Sequence, residues 1–191
     1  MSNALRRPMT LDEFIAWEER QELRYEFDGF QPVAMTGGSY AHDAVSINLA
    51  VVVGGRLRGT RCRLHGSNLK VLAEGRVRYP DAFVTCQSYG NADKFARDPV
   101  VILEVLSPST AGTDRIDKVR EYTALPSLRR YLMLGQDRVA ATVWERQGVG
   151  WVTTVLTDDA VLSMPEIGIE LSLAELYEGV DLTTGPTDDG T

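Results

Sequence analysis

The sequence predicts an α/β (α+β) fold, one central mixed β-sheet flanked by helices, and three observations carry that expectation. Stretches of helical period alternate along the chain with short period-2 segments. One segment, residues 100–106 (VVILEVL), is apolar on both faces apart from a single Glu, the pattern of a central strand covered on both sides. With 191 residues, 43% hydrophobic and 25% charged, the chain can bury most of its apolar surface in one core and has the makeup of a globular domain.

Taken in order, residues 1–9 read as a loose arm. Residues 10–17 read as a helix, with Thr10 and Glu13 spaced as a capping box and Phe14 and Trp17 on the core side. Residues 23–27 and 31–35 are two strands joined at Asp28-Gly29, the second an edge strand because Pro32 cannot donate to a ladder. Residues 40–57 hold the longest helical pattern, with Val45, Leu49, Val52 and Val53 on one stripe. Residues 62–65, 69–72 and 77–84 are short strands, with Glu74-Gly75 as the turn between the last two. Pro80 removes a ladder donor inside the last of them, so that strand bends or bulges there. After the 100–106 strand and the loop Ser107-Pro108-Ser109-Thr110 comes a helix from Thr113 or Asp114 to Ala124, stopped by Pro126. Residues 131–134, 139–145 and 151–156 are three more strands, and 172–177 a short last helix with Ser172 and Glu175 as a second capping box. The domain is expected to run over 10–180, followed by a polar tail at 181–191.

Charge is unevenly distributed. The net is -7, which disfavours non-specific binding of nucleic acid by the chain as a whole. Yet residues 56–78 hold seven bases (Arg56, Arg58, Arg61, Arg63, Lys70, Arg76, Arg78) against Glu74 alone, while 145–191 hold ten acids against Arg146. The stripe suits an anionic partner; its structural alternative is the solvent side of half-exposed strands. No apolar run reaches the ~18 residues of a membrane span. The N-terminus has no apolar stretch behind its arginines, so it does not read as a secretory signal. A cytoplasmic protein with Cys62 and Cys86 as free thiols is the expectation. Cys62 and His65 lack the second pair that a zinc site needs.

Three residues stand out as chemistry. Glu104 sits in the apolar strand, where a lone buried carboxylate costs several kcal/mol unless it is paired, protonated or metal-bound. Period-2 alternation places it on one face with Ile102 and Leu106. Asp81 follows Pro80 at the expected bend, which can re-aim its side chain. Lys118, in TDRIDKVREY, is a surface lysine paired with Asp114 or Glu121, or a group that reaches back to Glu104 across a short strand-loop-helix unit. Two carboxylates from adjacent strands offer hard oxygen ligands to Mg²⁺ or Mn²⁺, and a nearby lysine can orient water and offset phosphate charge.

The Pro80-Asp81 pair followed by Glu104-Val105-Leu106 resembles the PD-(D/E)XK nuclease superfamily. More closely, the chain resembles the Uma-type restriction endonuclease family, in MTLDEFIAW (9–17), LRYEFDGFQPVAMTGG (23–38), the His42 helix, RYPDAFV (78–84), VVILEVLSPST (100–110), DRIDKVREYTAL (114–125) and RRYLML (129–134). That resemblance implies a restriction-endonuclease-like core and metal-dependent phosphodiester cleavage, with DNA as substrate. It implies Asp81, Glu104 and the Val105 carbonyl as metal ligands and Glu26 as a further acid at the site. The superfamily lysine, two residues after the acid, is replaced here by Leu106, and the family implies Lys118 in its place. The basic stripe and His42 would then face the nucleic acid, and a homodimer would align two stripes. Two other classes fit the same residues: a silent nuclease-fold interaction module, motivated by Leu106 and the acidic C-terminal third, and a hydrolase of a smaller phosphate ester.

Overall fold

The computed structural model of the protein describes residues 7–35, 37–106 and 113–182. Thr10 caps α1 (Leu11–Glu18) through the reciprocal box with Glu13, and Phe14 is buried behind it. Two short strands follow, β1 (Tyr25–Phe27) and β2 (Pro32–Ala34), then α2 (Tyr40–Arg56), whose Val45, Leu49 and Val53 are buried as the period requires.

β3 (Arg63–Gly66), β4 (Lys70–Ala73), β5 (Arg76–Arg78) and β6 (Ala82–Thr85) come next. Glu74 and Gly75 both have positive φ, a tight two-residue hairpin turn between β4 and β5 that Gly75 adopts freely and that is uncommon for a residue such as Glu74. β7 (Phe95–Ala96) precedes the buried β8 (Val101–Val105), and α3 (Thr113–Thr123) leads into β9 (Arg130–Leu134). β10 (Ala140–Gln147) and β11 (Gly150–Thr157) form a long hairpin. β12 (Val161–Met164), a 3-10 turn Pro165–Ile167, β13 (Ile169–Ser172) and a 3-10 turn Leu173–Tyr177 close the described chain.

The fold class is the expected mixed α+β, but the strands fall into more than one sheet. A six-stranded sheet has the order β11-β10-β9-β8-β6-β3, a five-stranded sheet the order β2-β1-β5-β4-β7, and β12 pairs with β13. The expected bend at Pro80 is larger than a bulge. The segment read as one strand from 77 to 84 is two strands in two sheets, and Tyr79-Pro80-Asp81 crosses between them. Proline cannot continue a ladder, so the chain leaves one sheet there and enters the other. Pro32 does lie on an edge strand, as expected. β7, β12 and β13 escaped the sequence reading because each is short, two to four residues, too few for a period to stand out. The tail lies outside the described residues except for Asp181 and Leu182, as does the arm except for 7–9.

β8 is central, antiparallel to β6 and parallel to β9, with α3 as the crossover. One face of the six-stranded sheet (Val101, Leu103, Val105, Leu132, Leu134) packs in a single cluster with α2 and the β12–β13 region. The other face (Ile102, Phe83, Tyr131, Met133) packs with Tyr122, Leu125 and Leu128 around α3, and with Val71 and Ala73 of β4. Phe14, Phe27, Leu72, Val77 and Tyr79 form a third cluster. Cys62 and Cys86 are joined in a disulfide, which overturns the expectation of free thiols. The cause is register: Arg63 pairs with Thr85, so one further step sets the two cysteines opposite each other. Among the described residues, no helix is long and apolar enough to cross a membrane.

Candidate active site

Register brings the two carboxylates together. Ala82 pairs with Leu103 and Phe83 with Ile102, so one more step sets Asp81 opposite Glu104 on the same face of the sheet. The Val105 N–H donates to Asp81 Oδ2 at 2.7 Å. Asp81 Oδ2 also lies 3.3 Å from His42 Nε2, which α2 delivers from its first turn. Gly38 makes room for that ring: a Cβ there would stand 2.7 Å from His42 Nδ1. The hydrogen bond to Asp81 raises the His42 pKa, outweighing burial, with smaller help from the Asp81, Glu104 and Asp43 charges.

Glu104 is buried one residue before the end of β8. Tyr122 O–H donates to its Oε1 at 3.0 Å, and Lys118 Nζ lies 3.4 Å from both of its oxygens. Burial pushes the Glu104 pKa up to about 7; the Lys118 charge opposes that rise, and the charges of Asp81 and Glu26 add to it. Lys118 therefore reaches back to the Glu104 carboxylate across the strand–helix unit. Nζ also stands 3.8 Å from Glu26 Oε1.

Glu26 is held from two sides. Arg78 Nη1 donates to Oε2 at 3.0 Å and the Tyr79 N–H to Oε1 at 3.1 Å. The same Arg78 forks onto Glu121 of α3 through Nε at 2.8 Å and Nη2 at 2.9 Å. Burial works against the Arg78 charge, but the Glu121 hydrogen bonds and the two carboxylate charges win, and its pKa is raised. Arg76 Nε adds a contact to Glu121 at 3.1 Å.

This geometry splits the basic stripe. Arg78 is buried between Glu26 and Glu121, Lys70 is buried 2.6 Å from Glu18 Oε2, and Arg76 is partly buried against Glu121. These three are not a nucleic-acid face, because buried acids on α1, β1 and α3 take them inward. Arg56 pairs with Glu175 at the surface at 2.7 Å. Arg58, Arg61 and Arg63 are exposed.

Sequence reasoning missed Arg78 as an internal anchor, it took Glu121 only as a surface partner of Lys118, and it missed Tyr122. The signal was there: Glu121 and Tyr122 lie three and four residues after Lys118, which puts them on its helix face.

Glu26, Asp81, Glu104, Val105, His42 and Lys118 all line one cleft of about 400 Å³. Among the described residues, no three His, Cys, Asp or Glu side chains converge closely enough to hold an ion by themselves. A cation in this cleft would rest on two carboxylates and complete its shell from backbone oxygen, water and substrate, a donor set that suits a hard divalent ion.

The comparisons agree with this architecture. A family model described as "Uma2: Putative restriction endonuclease" matches residues 11–174. "Uncharacterized protein slr1290" of Synechocystis is 31% identical over 173 residues, covering 88% of this chain and 91% of that protein. "Uncharacterized protein sll1609" of the same organism is 28% identical over 156 residues, covering 78% and 87%. A crystal structure from Anabaena variabilis, titled a "putative nuclease belonging to DUF820", superposes with a TM-score of 0.74 at 19% identity, over 90% of this chain and 98% of that one, and shares the fold. With most of its length matched by the family model, the chain belongs to the Uma2 family.

Proposed function

We propose that this protein is a metal-dependent endonuclease that hydrolyses phosphodiester bonds of DNA, using Mg²⁺ or Mn²⁺ held by Asp81, Glu104 and the Val105 carbonyl. The observation that carries the reading is the meeting of Asp81, Glu104 and Lys118 around one cleft, from the residue before β6, from β8 and from α3. When bound, the metal supplies Lewis acidity to the phosphate and lowers the pKa of a coordinated water. The chain does the rest. Val105 N–H fixes one Asp81 oxygen, and Tyr122 O–H fixes one Glu104 oxygen, so both carboxylates are held in place before substrate arrives. Lys118 Nζ stands where it can orient the attacking water and offset phosphate charge. Glu26, anchored by Arg78, is the further acid on the wall of the cleft.

Of the basic stripe, Arg58, Arg61 and Arg63 are left for the phosphate backbone, and pairing of two chains would double them. A cytoplasmic site of action belongs to the same proposal. Cell fractionation tests it, with the protein expected in the cytoplasmic fraction and its recovery among exported proteins against it.

A second reading has its own support. Lys118 lies within 3.4 Å of both Glu104 oxygens, so the buried charge is compensated without a cation, as a silent interaction module would require. The test is cleavage of mixed linear and supercoiled DNA with Mg²⁺ or Mn²⁺, beside Glu104→Gln, Asp81→Asn and Lys118→Ala. The proposal expects loss of cutting in the two carboxylate variants, and slower turnover with near-intact metal affinity in Lys118→Ala. Cutting by either carboxylate variant at the parent's rate would reject the site, and no metal binding by the parent would favour the silent module.

A further inference from the structure

The carboxylate cleft is not closed on the side of His42. A second cavity of about 570 Å³ shares Met35, Gly37, Gly38, His42 and Asp81 with it and extends away from Glu104. The walls it adds are of a different kind: Arg24 before β1, Tyr40 at the first residue of α2, and Ser46 and Ser67. Tyr40 is 81% exposed, large for an aromatic ring beside a cavity. Arg24 is exposed too, and spends Nη1 on the Ser67 carbonyl at 3.0 Å, which fixes its guanidinium at the cavity wall. Asp43 is the acid this cavity adds.

Each cavity is large enough for one small ligand, in the usual range of roughly 300–1,000 Å³. A small phosphate ester would occupy the carboxylate cleft alone. A polymer cut at Asp81 and Glu104 must continue past them, and the shared wall at Gly37, Gly38 and His42 leaves the second cavity as a route. The ring of Tyr40 offers a stacking surface, and stacking on aromatic side chains needs an unstacked base. A guanidinium matches a phosphate through paired N–H donors.

We propose that the Arg24–Tyr40 cavity seats the nucleotide flanking the scissile phosphate of a single nucleic-acid strand, with Tyr40 stacked on its base and Arg24 on its phosphate. This rests on the nuclease reading of the adjoining cleft and adds the substrate class: an unpaired strand or a locally opened duplex, not a small ester.

The experiment compares a single-stranded oligonucleotide with methyl p-nitrophenyl phosphate, a small diester with no nucleobase and no second phosphate to seat. Tyr40→Ala is expected to raise the KM for the oligonucleotide at least tenfold more than that for the small diester, Tyr40→Phe to restore it, and Arg24→Ala to act in the same direction. Equal losses on both substrates, or no loss on either, would overturn the proposal. Should the parent cut nothing, anisotropy of a labelled oligonucleotide with Ca²⁺ separates the two claims. Binding by the parent that weakens tenfold in Tyr40→Ala and survives in Tyr40→Phe supports the seat while the nuclease reading fails. Absence of binding, binding unaffected by Tyr40→Ala, or tighter binding of intact duplex than of single strand would overturn it.

Discussion

Strand β8 presents two unlike faces to the two sides of its sheet. Val101, Leu103 and Val105 go into the hydrophobic cluster beneath α2. Ile102 and Glu104 go to the side of α3, where Tyr122 supplies both a packed ring and a hydroxyl for the carboxylate. The contrast shows how a period of two lets one strand anchor a core and carry a charged site at once. It also shows what the polar side requires. The buried acids Glu26, Glu104 and Glu121 are each met by a basic side chain, and two of them share Arg78.

The largest expected effect breaks that polar side. Arg78→Ala leaves Glu26 and Glu121 buried without their shared cation, a loss of about 3–5 kcal/mol. Arg63→Ala, from the exposed part of the same sequence stripe, should stay within about 0.5 kcal/mol. Urea denaturation of the two variants measures the difference, and equal losses would mean that Arg78 is not an internal anchor. On the apolar face, Leu103→Ala should cost about 2–5 kcal/mol through the cavity it leaves.

A second prediction sharpens the contrast through pH. The Glu104 pKa in the fold lies above its unfolded value, so the folded state holds the extra proton between the two. Stability from this group is present in full below the unfolded pKa, near 4.5, and is lost as pH rises towards about 7. Glu104→Gln, which carries no such charge, should therefore be more stable than the metal-free parent at pH 8, by roughly 1–3 kcal/mol, and lose that advantage near pH 4.5. Melting curves at both pH values check it, and an advantage that grows on acidification would contradict it.

The smallest effect concerns the surface. Neutralising Arg58, Arg61 and Arg63 together should weaken DNA binding evenly across sequences and flatten its salt dependence, by about 0.9 in slope for each phosphate that these side chains neutralise in the parent. An unchanged slope would remove these arginines from the interface.

Much of this was legible in the sequence. Thr10 and Glu13 announced α1, the run VVILEVL announced the central strand, and Pro80 announced a break. Glu104 was conspicuous because a charge inside an apolar strand demands a partner. What stayed hidden depends on pairing between distant segments. Lys70, Arg76 and Arg78 read as part of a stripe facing an anionic partner because a basic run has no mark for which members meet buried acids, and Glu18, Glu26 and Glu121 lie on three other elements. Cys62 and Cys86 read as separate thiols because only the β3–β6 register sets them opposite each other. The second sheet was hidden for the same reason: nothing local in 77–84 says that β5 and β6 choose different partners.

The central claim is that Asp81 and Glu104 converge on one divalent cation. Calorimetric titration of Mn²⁺ into the parent, Asp81→Asn and Glu104→Gln tests it without any need for turnover. The account predicts a site in the parent that is weakened at least tenfold in each variant. Equal affinity in all three proteins would contradict it.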